Sequence, residues 1–195
     1  MKYFIASDIH GSAYYCRKML EAYRREQAEK MILLGDILYH GPRNDLPREY
    51  APKEVIPLLN AYRDEILAVR GNCDAEVDQM VLEFPIMADY AVLQLKKGRQ
   101  IYLTHGHIYN EKKLPPMKKG DVLLHGHTHV LRAEKKKDLV FLNPGSVSIP
   151  KEGNPPTYAI LEKGIFTIRT FEDKTILEYA LQKSGKDGDA EGSTV

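Results

Sequence analysis

Several features that this chain of 195 residues lacks narrow its function. Its only cysteines, Cys16 and Cys73, form no Cys-x-x-Cys pair, so neither a disulfide scaffold nor a structural zinc site is suggested, and a reducing compartment fits. Nothing in it approaches the roughly eighteen apolar residues of a membrane span, so a soluble protein with no membrane partner is expected. Charge of one sign is missing as well: 28 Lys and Arg against 27 Asp and Glu leave a formal net charge of +1. That balance gives no broad field for holding a polyanion, so no extended nucleic-acid surface is expected, although local charge could still bind a short nucleotide. At the amino end, Met1-Lys2-Tyr3-Phe4-Ile5 runs into a strand that meets Asp8 almost at once. That leaves no room for a basic stretch, apolar segment and cleavage site, and the address expected is cytoplasmic.

Hydrophobic residues at 43% and charged residues at 28% are enough for an ordinary core, and the length predicts one domain, residues 1–183. The remaining 184–195 are Gly, Asp, Ser and Lys without an apolar anchor, which predicts a flexible tail.

Apolar runs at Tyr3–Ser7, Met31–Leu34 and Ile66–Val69 read as buried strands, each ending at a polar cluster. After the first, Ser12 opens a stretch with Tyr15, Met19, Ala22 and Tyr23 at helical spacing; after the second, the Pro-rich residues 41–52 predict a surface loop before a helix at 53–62. From Tyr90 onward the pattern changes to short strands: 91–95 and 100–104 around a turn at Gly98, then 121–124, 139–142, 158–161 paired with 166–169, and 175–181. Strand-helix alternation followed by meandering strands predicts an α/β fold of two sheets packed face to face with helices outside.

The strand ends carry the chemistry. Asp8-x-His10-Gly11, Gly35-Asp36, Gly71-Asn72-Cys73-Asp74, His105-Gly106-His107 and Gly126-His127-x-His129 each follow an apolar strand. Carboxylate, imidazole and amide oxygen together suit borderline and hard divalent cations. The Asp-x-His and His-x-His spacings would let both side chains project to one side of extended backbone, and the flanking glycines would allow sharp turns. Singly, each cluster reads better as a turn or cap. Together, with five of the seven histidines between His105 and His129, they point to metal binding.

The ordered blocks resemble the calcineurin-like metallophosphoesterase family over residues 2 to 170, and the compact size with Asn143-Pro144-Gly145-Ser146 is similar to its small bacterial phosphodiesterases. The resemblance implies a four-layer sandwich of two mixed β-sheets flanked by helices. It also implies two divalent cations, Mn²⁺ first, with Zn²⁺, Fe²⁺, Ni²⁺ or Mg²⁺ as alternatives. Asp8, His10, Asp36 and His129 would hold one, and Asp36, Asn72, His105 and His127 the other, with Asp36 bridging. Two cations about 3.5 to 4 Å apart would generate a bridging hydroxide that attacks phosphorus in line, so no side-chain nucleophile is required. The expected substrate is a small phosphodiester. Phosphomonoesterase or nuclease action on the same core, or a non-catalytic protein-binding scaffold, are the alternatives, and a homo-oligomer is left open.

Cys73 stands where many members of that family place a histidine that contacts phosphate and protonates the leaving group. A thiol with an ordinary pKa near 8.5 could donate a proton, although nearby cations would favour its thiolate; His107 is the alternative donor. On a blander reading Cys73 packs under its loop and the leaving group departs unassisted. Asp74 is a candidate to accept a hydrogen bond from a ligand histidine or to orient the neighbouring loop. His40 and Arg43, on the loop after Asp36, read either as substrate contacts or as exposed loop residues. Lys135-Lys136-Lys137 reads as a solvated turn, and Arg70 as the partner of a carboxylate.

Overall fold

The computed structural model describes residues 1–95 and 98–181, so the tail expected over 184–195 and part of the turn expected around Gly98 lie outside the described residues. The chain runs β1 (Lys2–Ala6), α1 (Ala13–Glu26), β2 (Lys30–Leu33), α2 (Pro52–Asn60), β3 (Ile66–Ala68) and the single turn α3 (Glu76–Gln79). It continues through β4 (Tyr90–Gln94), β5 (Gln100–Thr104), β6 (Val122–His125), β7 (Leu131–Lys136), β8 (Leu139–Pro144), β9 (Thr157–Glu162), β10 (Ile165–Thr170) and β11 (Thr175–Ala180). One sheet has the order β11-β10-β9-β1-β2-β3 and the other β4-β5-β6-β8-β7. Both are mixed, since β1, β2 and β3 run parallel while β9 opposes β1, and β5, β6 and β8 run parallel between antiparallel edges.

Strict alternation assigns each strand two faces. In β1, Ile5 joins Ile32, Leu34 and Val69 in the apolar layer between the sheets, against Ile101, Leu103, Val122, Leu124, Val140 and Leu142 of the opposite sheet. Its neighbours Phe4 and Ala6 point the other way, with Met31, Leu33 and Tyr158, into a second layer closed by α1 and α2. The α1 stripe Cys16, Met19, Leu20 and Tyr23 fills that layer at helical spacing. Ser12 caps the helix by accepting a hydrogen bond from the Tyr15 N–H at 3.2 Å, and Gln27 ends it in the left-handed conformation at φ 49°. On the outer face of the second sheet, Tyr102, Leu123 and Phe141 are covered by Met117 from the connection between β5 and β6. The fold is thus two mixed β-sheets packed face to face and flanked by few helices.

One local expectation changes. The lysine run is no simple turn: Lys135 and Lys136 end the edge strand β7, only Lys137 turns, and Lys136 pairs with Glu111. Pro57 lies inside α2, near the end of a helix so short that Ala61 N–H still reaches the Pro57 carbonyl at 3.2 Å. Among the described residues, no helix is long and apolar enough to cross a membrane.

Candidate metal centre

The polar clusters meet because β1, β2 and β3 point their carboxyl ends the same way, and the ends of β5 and β6 face them across the sandwich. Backbone hydrogen bonds tie the loops to one another: Asp8 N–H to Gly35 O (3.1 Å), His10 N–H to Asp36 O (2.9 Å) and Gly126 N–H to His105 O (2.9 Å). The convergence does not come from extended alternation. Asp8, His10, Asp36, His127 and His129 all adopt positive φ, between 50° and 66°, a region L-residues enter at a cost and keep only where surroundings enforce it. The Asp-x-His and His-x-His spacings therefore bring side chains together through left-handed turns. Close approach enforces them: a Cβ on Gly71 would lie 2.1 Å from Asp36 Oδ1, and one on Gly126 would lie 1.9 Å from Ser7 Oγ.

Three rings are oriented from behind by carbonyls. His10 Nδ1 lies 2.8 Å from Tyr39 O, His105 Nδ1 2.6 Å from Leu34 O and His129 Nδ1 2.7 Å from Ile149 O. A carbonyl only accepts, so each Nδ1 carries the proton and each neutral ring turns an Nε2 lone pair inward. The inward atoms then crowd. His10 Nε2 is 3.4 Å from His129 Nε2, and His105 Nε2 is 3.2 Å from His127 Nδ1 and 3.1 Å from Asn72 Oδ1. Asp36 Oδ2 stands between the two groups, 3.6 Å from His10 Nε2 and 3.4 Å from His105 Nε2. Asp8 Oδ1 is buried with no hydrogen-bond partner among the described residues, 3.2 Å from His129 Nε2.

A set of lone pairs and carboxylates packed this closely calls for positive charge. The donor atoms of Asp8, His10 and His129, and those of Asp8, Asp36 and His105, lie within 4.8 Å of one another. Nitrogen and oxygen donors oriented by outer hydrogen bonds fit divalent cations. Without a cation, protons take the place. Burial opposes an imidazolium at His105, but Asp36 and Asp8 outweigh it and push the ring up to about 9. Burial likewise opposes charge on Asp8, yet His10 and His129 beside it hold that carboxyl well below the usual range. Burial and the neighbouring His105 bring His127 down to about 4.

The two proposed proton donors occupy different places. Cys73 belongs to the cluster: its sulfur is within 4.8 Å of donor atoms of His10 and Asp36, and its N–H donates to Asp36 Oδ1 at 2.8 Å. Burial and then the charge of Asp36 push its thiol up to about 12. His107 lies against the rings of His105 and His127, at 5.4 and 6.3 Å between centroids, with a buried Nδ1 that has no hydrogen-bond partner among the described residues. Among the described residues, the Asp74 carboxylate accepts no hydrogen bond from a histidine. That carboxylate accepts from the N–H groups of Asp36 (2.9 Å), Ile37 (2.8 Å) and Gly71 (2.7 Å), binding the β2 and β3 loops together. Arg70 reaches Glu76 at 3.8 Å.

Residues of the Asn143–Ser146 turn had no assigned role in the sequence, yet they bridge the clusters. Ser146 and Ser148 hydroxyls both donate to the Asp8 carbonyl, at 3.0 and 3.1 Å, and Asn143 Nδ2 donates to Gly126 O at 2.8 Å. The only signal for this was a polar turn closing an apolar strand, which does not say which loops it holds.

The model of the calcineurin-like phosphoesterase superfamily domain matches residues 1–164. The chain belongs to that superfamily. Phosphodiesterase YfcE of Escherichia coli K12 is 46% identical over 177 residues, covering 91% of this chain and 96% of that protein. The structure of the E. coli phosphoesterase YfcE superposes with a TM-score of 0.90 at 44% identity, covering 93% of this chain and 100% of that one. Vacuolar Protein Sorting 29 from Cryptosporidium parvum shares the fold alone, with a TM-score of 0.59 at 19% identity, over 92% of this chain and 97% of that one. As a superfamily member of the YfcE type, the chain is a metallophosphoesterase, a hydrolase of phosphate esters whose family implies divalent metal.

Proposed function

We propose that this metallophosphoesterase hydrolyses small phosphodiesters at a dinuclear centre. Asp8, His10, Asp36 and His129 hold one cation, Asp36, Asn72, His105 and His127 hold the other, and Mn²⁺ is the first choice of metal. The observation that carries this reading is the pair of inward nitrogen contacts, 3.4 Å between His10 and His129 and 3.2 Å between His105 and His127, flanking the Asp36 carboxylate. At His10 and His129, whose protons are held on Nδ1, the facing Nε2 lone pairs repel unless a positive charge lies between them. Similarity to a named phosphodiesterase at 46% identity supports the diester as substrate. When bound, the two cations supply Lewis acidity and a water activated near neutral pH as the nucleophile.

The chain's own groups do the rest. Backbone carbonyls of Tyr39, Leu34 and Ile149 fix the tautomers of His10, His105 and His129, so that each ring presents a lone pair without rearrangement. Asp74, Asn143, Ser146 and Ser148 hold the loops in register. Cys73 is the preferred proton donor to the leaving oxygen, since its sulfur belongs to the cluster beside Asp36; His107 is the second choice.

Hydrolysis of a chromogenic phosphodiester with Mn²⁺ tests the reading. Asp36→Ala should lower kcat/KM by more than about 100-fold, beyond the cost of an outer hydrogen-bond partner of a metal ligand. Turnover by the wild type no greater than by that variant would sink it. On esters graded by leaving-group pKa, Cys73→Ser should lose activity progressively, up to about 100-fold on the most basic. A loss independent of the leaving group removes Cys73 as the acid, and a graded loss in His107→Ala transfers the role.

A further inference from the structure

The cavity over the centre has a volume of about 460 Å³, and its wall includes Asp36, Asn72, His129, Arg43, Asn44 and Lys151. Arg43 and Lys151 are exposed, and neither side chain makes a hydrogen bond or ion pair among the described residues. Both backbones are nonetheless pinned. Asn44 closes the turn that carries Arg43, donating from its N–H to Gly41 O (3.2 Å) and from Nδ2 to His40 O (2.8 Å). The residue before His40, Tyr39, supplies the carbonyl that orients His10. Lys151 donates its N–H to His129 O at 3.1 Å, and its own carbonyl accepts twice from Asn154, at 3.1 and 2.8 Å. Two residues earlier, Ile149 supplies the carbonyl that orients His129.

Both cations therefore stand on the segments that support one half of the centre, the His10 and His129 half. The other half is walled by Asn72 and His127 and, among the described residues, brings no Lys or Arg to the cavity. A guanidinium offers a planar fork to carboxylate or phosphate, and an ammonium adds a point charge on a flexible stem.

We infer that Arg43 and Lys151 form a second anion subsite, so that the substrates are small phosphodiesters carrying a further phosphate or carboxylate that lies over the His10 and His129 half of the centre. This substrate class rests on the phosphodiesterase function proposed for the cavity. The scissile phosphoryl group is held at the metal centre, while the subsite selects what is attached to it. A diester without the second anion leaves both cations solvated and forgoes their contribution.

Calorimetric titration of the Mn²⁺-loaded protein with phenylphosphonate and with 3-carboxyphenylphosphonate, which differ by one carboxylate, tests the subsite. The carboxylate should tighten binding to the wild type by about tenfold, a size expected of a charge-assisted contact. In Arg43→Ala/Lys151→Ala that ratio should fall to within about twofold of unity, and in Arg43→Glu/Lys151→Glu it should invert. An equal ratio in wild type and double alanine variant overturns the subsite, as does a wild type indifferent to the carboxylate. If the wild type turns over chromogenic diester but shows no carboxylate gain, the subsite fails and the hydrolase stands. If it turns over no diester but shows a gain lost in the variant, the hydrolase reading fails and the anion subsite stands.

Discussion

The interior of the sandwich and its loop-bearing rim follow opposite rules. Between the sheets, Ile5, Leu103, Leu124 and Ile168 are wholly buried and sit on strands whose alternation dictates which way they face. At the rim, Asp8, His10, Asp36, His105 and His129 are buried almost as completely, but they are polar, crowded, and mostly on left-handed backbone. The interior is stable through contacts that any apolar side chain of similar size would make. The rim is held by a few positions that cannot vary without a clash, and its strain is offset by the sheets beneath and by bound charge. Stability and site geometry should accordingly respond to different substitutions.

Phe166 offers the cleanest separation. It is fully buried between the sheets and pairs with Leu161, which pairs in turn with Tyr3 near the amino end of β1, away from Asp8. Phe166→Ala should cost about 3 to 5 kcal/mol, lowering Tm by roughly 6 to 20 °C, because the cavity it leaves is only partly closed by relaxation. Metal stoichiometry measured by elemental analysis should stay at the wild-type value. A loss of metal at temperatures where this variant remains folded would break the distinction between interior and rim.

Gly126→Ala is the converse. The added methyl would meet Ser7 Oγ at 1.9 Å and Asp8 Oδ2 at 2.8 Å, displacing the loop that carries His127 and His129 relative to Asp8. Titration with Mn²⁺ should show affinity weakened by about 100-fold, while the far-ultraviolet circular dichroism of the strands is retained. Unchanged metal affinity would show that the rim relaxes as freely as a surface loop.

The smallest effect is a dependence on pH. His105 has its folded pKa raised from an ordinary 6.5 to about 9 by neighbouring carboxylates. A raised imidazole stabilises the metal-free fold fully below pH 6.5, and that contribution is lost as pH rises through about 9. Thermal scans of metal-stripped protein should therefore show Tm falling by a few degrees between about pH 6.5 and 9.5. The same proton must leave when a cation binds, so Mn²⁺ affinity should climb over that interval. A metal-free Tm that rises with pH would reverse the assignment of charge at the rim.

Much of this molecule was legible before folding. Strand runs at Met31–Leu34 and Leu139–Leu142, the Ser12 start of α1 and the pairing of 158–161 with 166–169 were readable because period and turn chemistry are local. The candidate ligand clusters stood out because their residue types and their order at strand ends are local as well. The backbone that brings them together was not. Extended spacing suggested a common side for Asp8 and His10, whereas the chain turns through positive φ at both, a conformation enforced by loops distant in sequence. Asp74 was left between two roles, since the N–H groups of Asp36 and Ile37 reach it across 38 and 37 residues.

By itself, then, the sequence determined the strands, the faces they bury and the chemical identity of a candidate metal-binding set, all of which follow from side-chain type and short-range period. Tertiary structure decided the rest. It set which lone pairs face each other, kept Cys73 beside Asp36, and placed Arg43 and Lys151 along one wall of the same cavity. Those relations depend on carbonyls, hydroxyls and glycines brought together by sheet pairing, and no spacing along the chain encodes them.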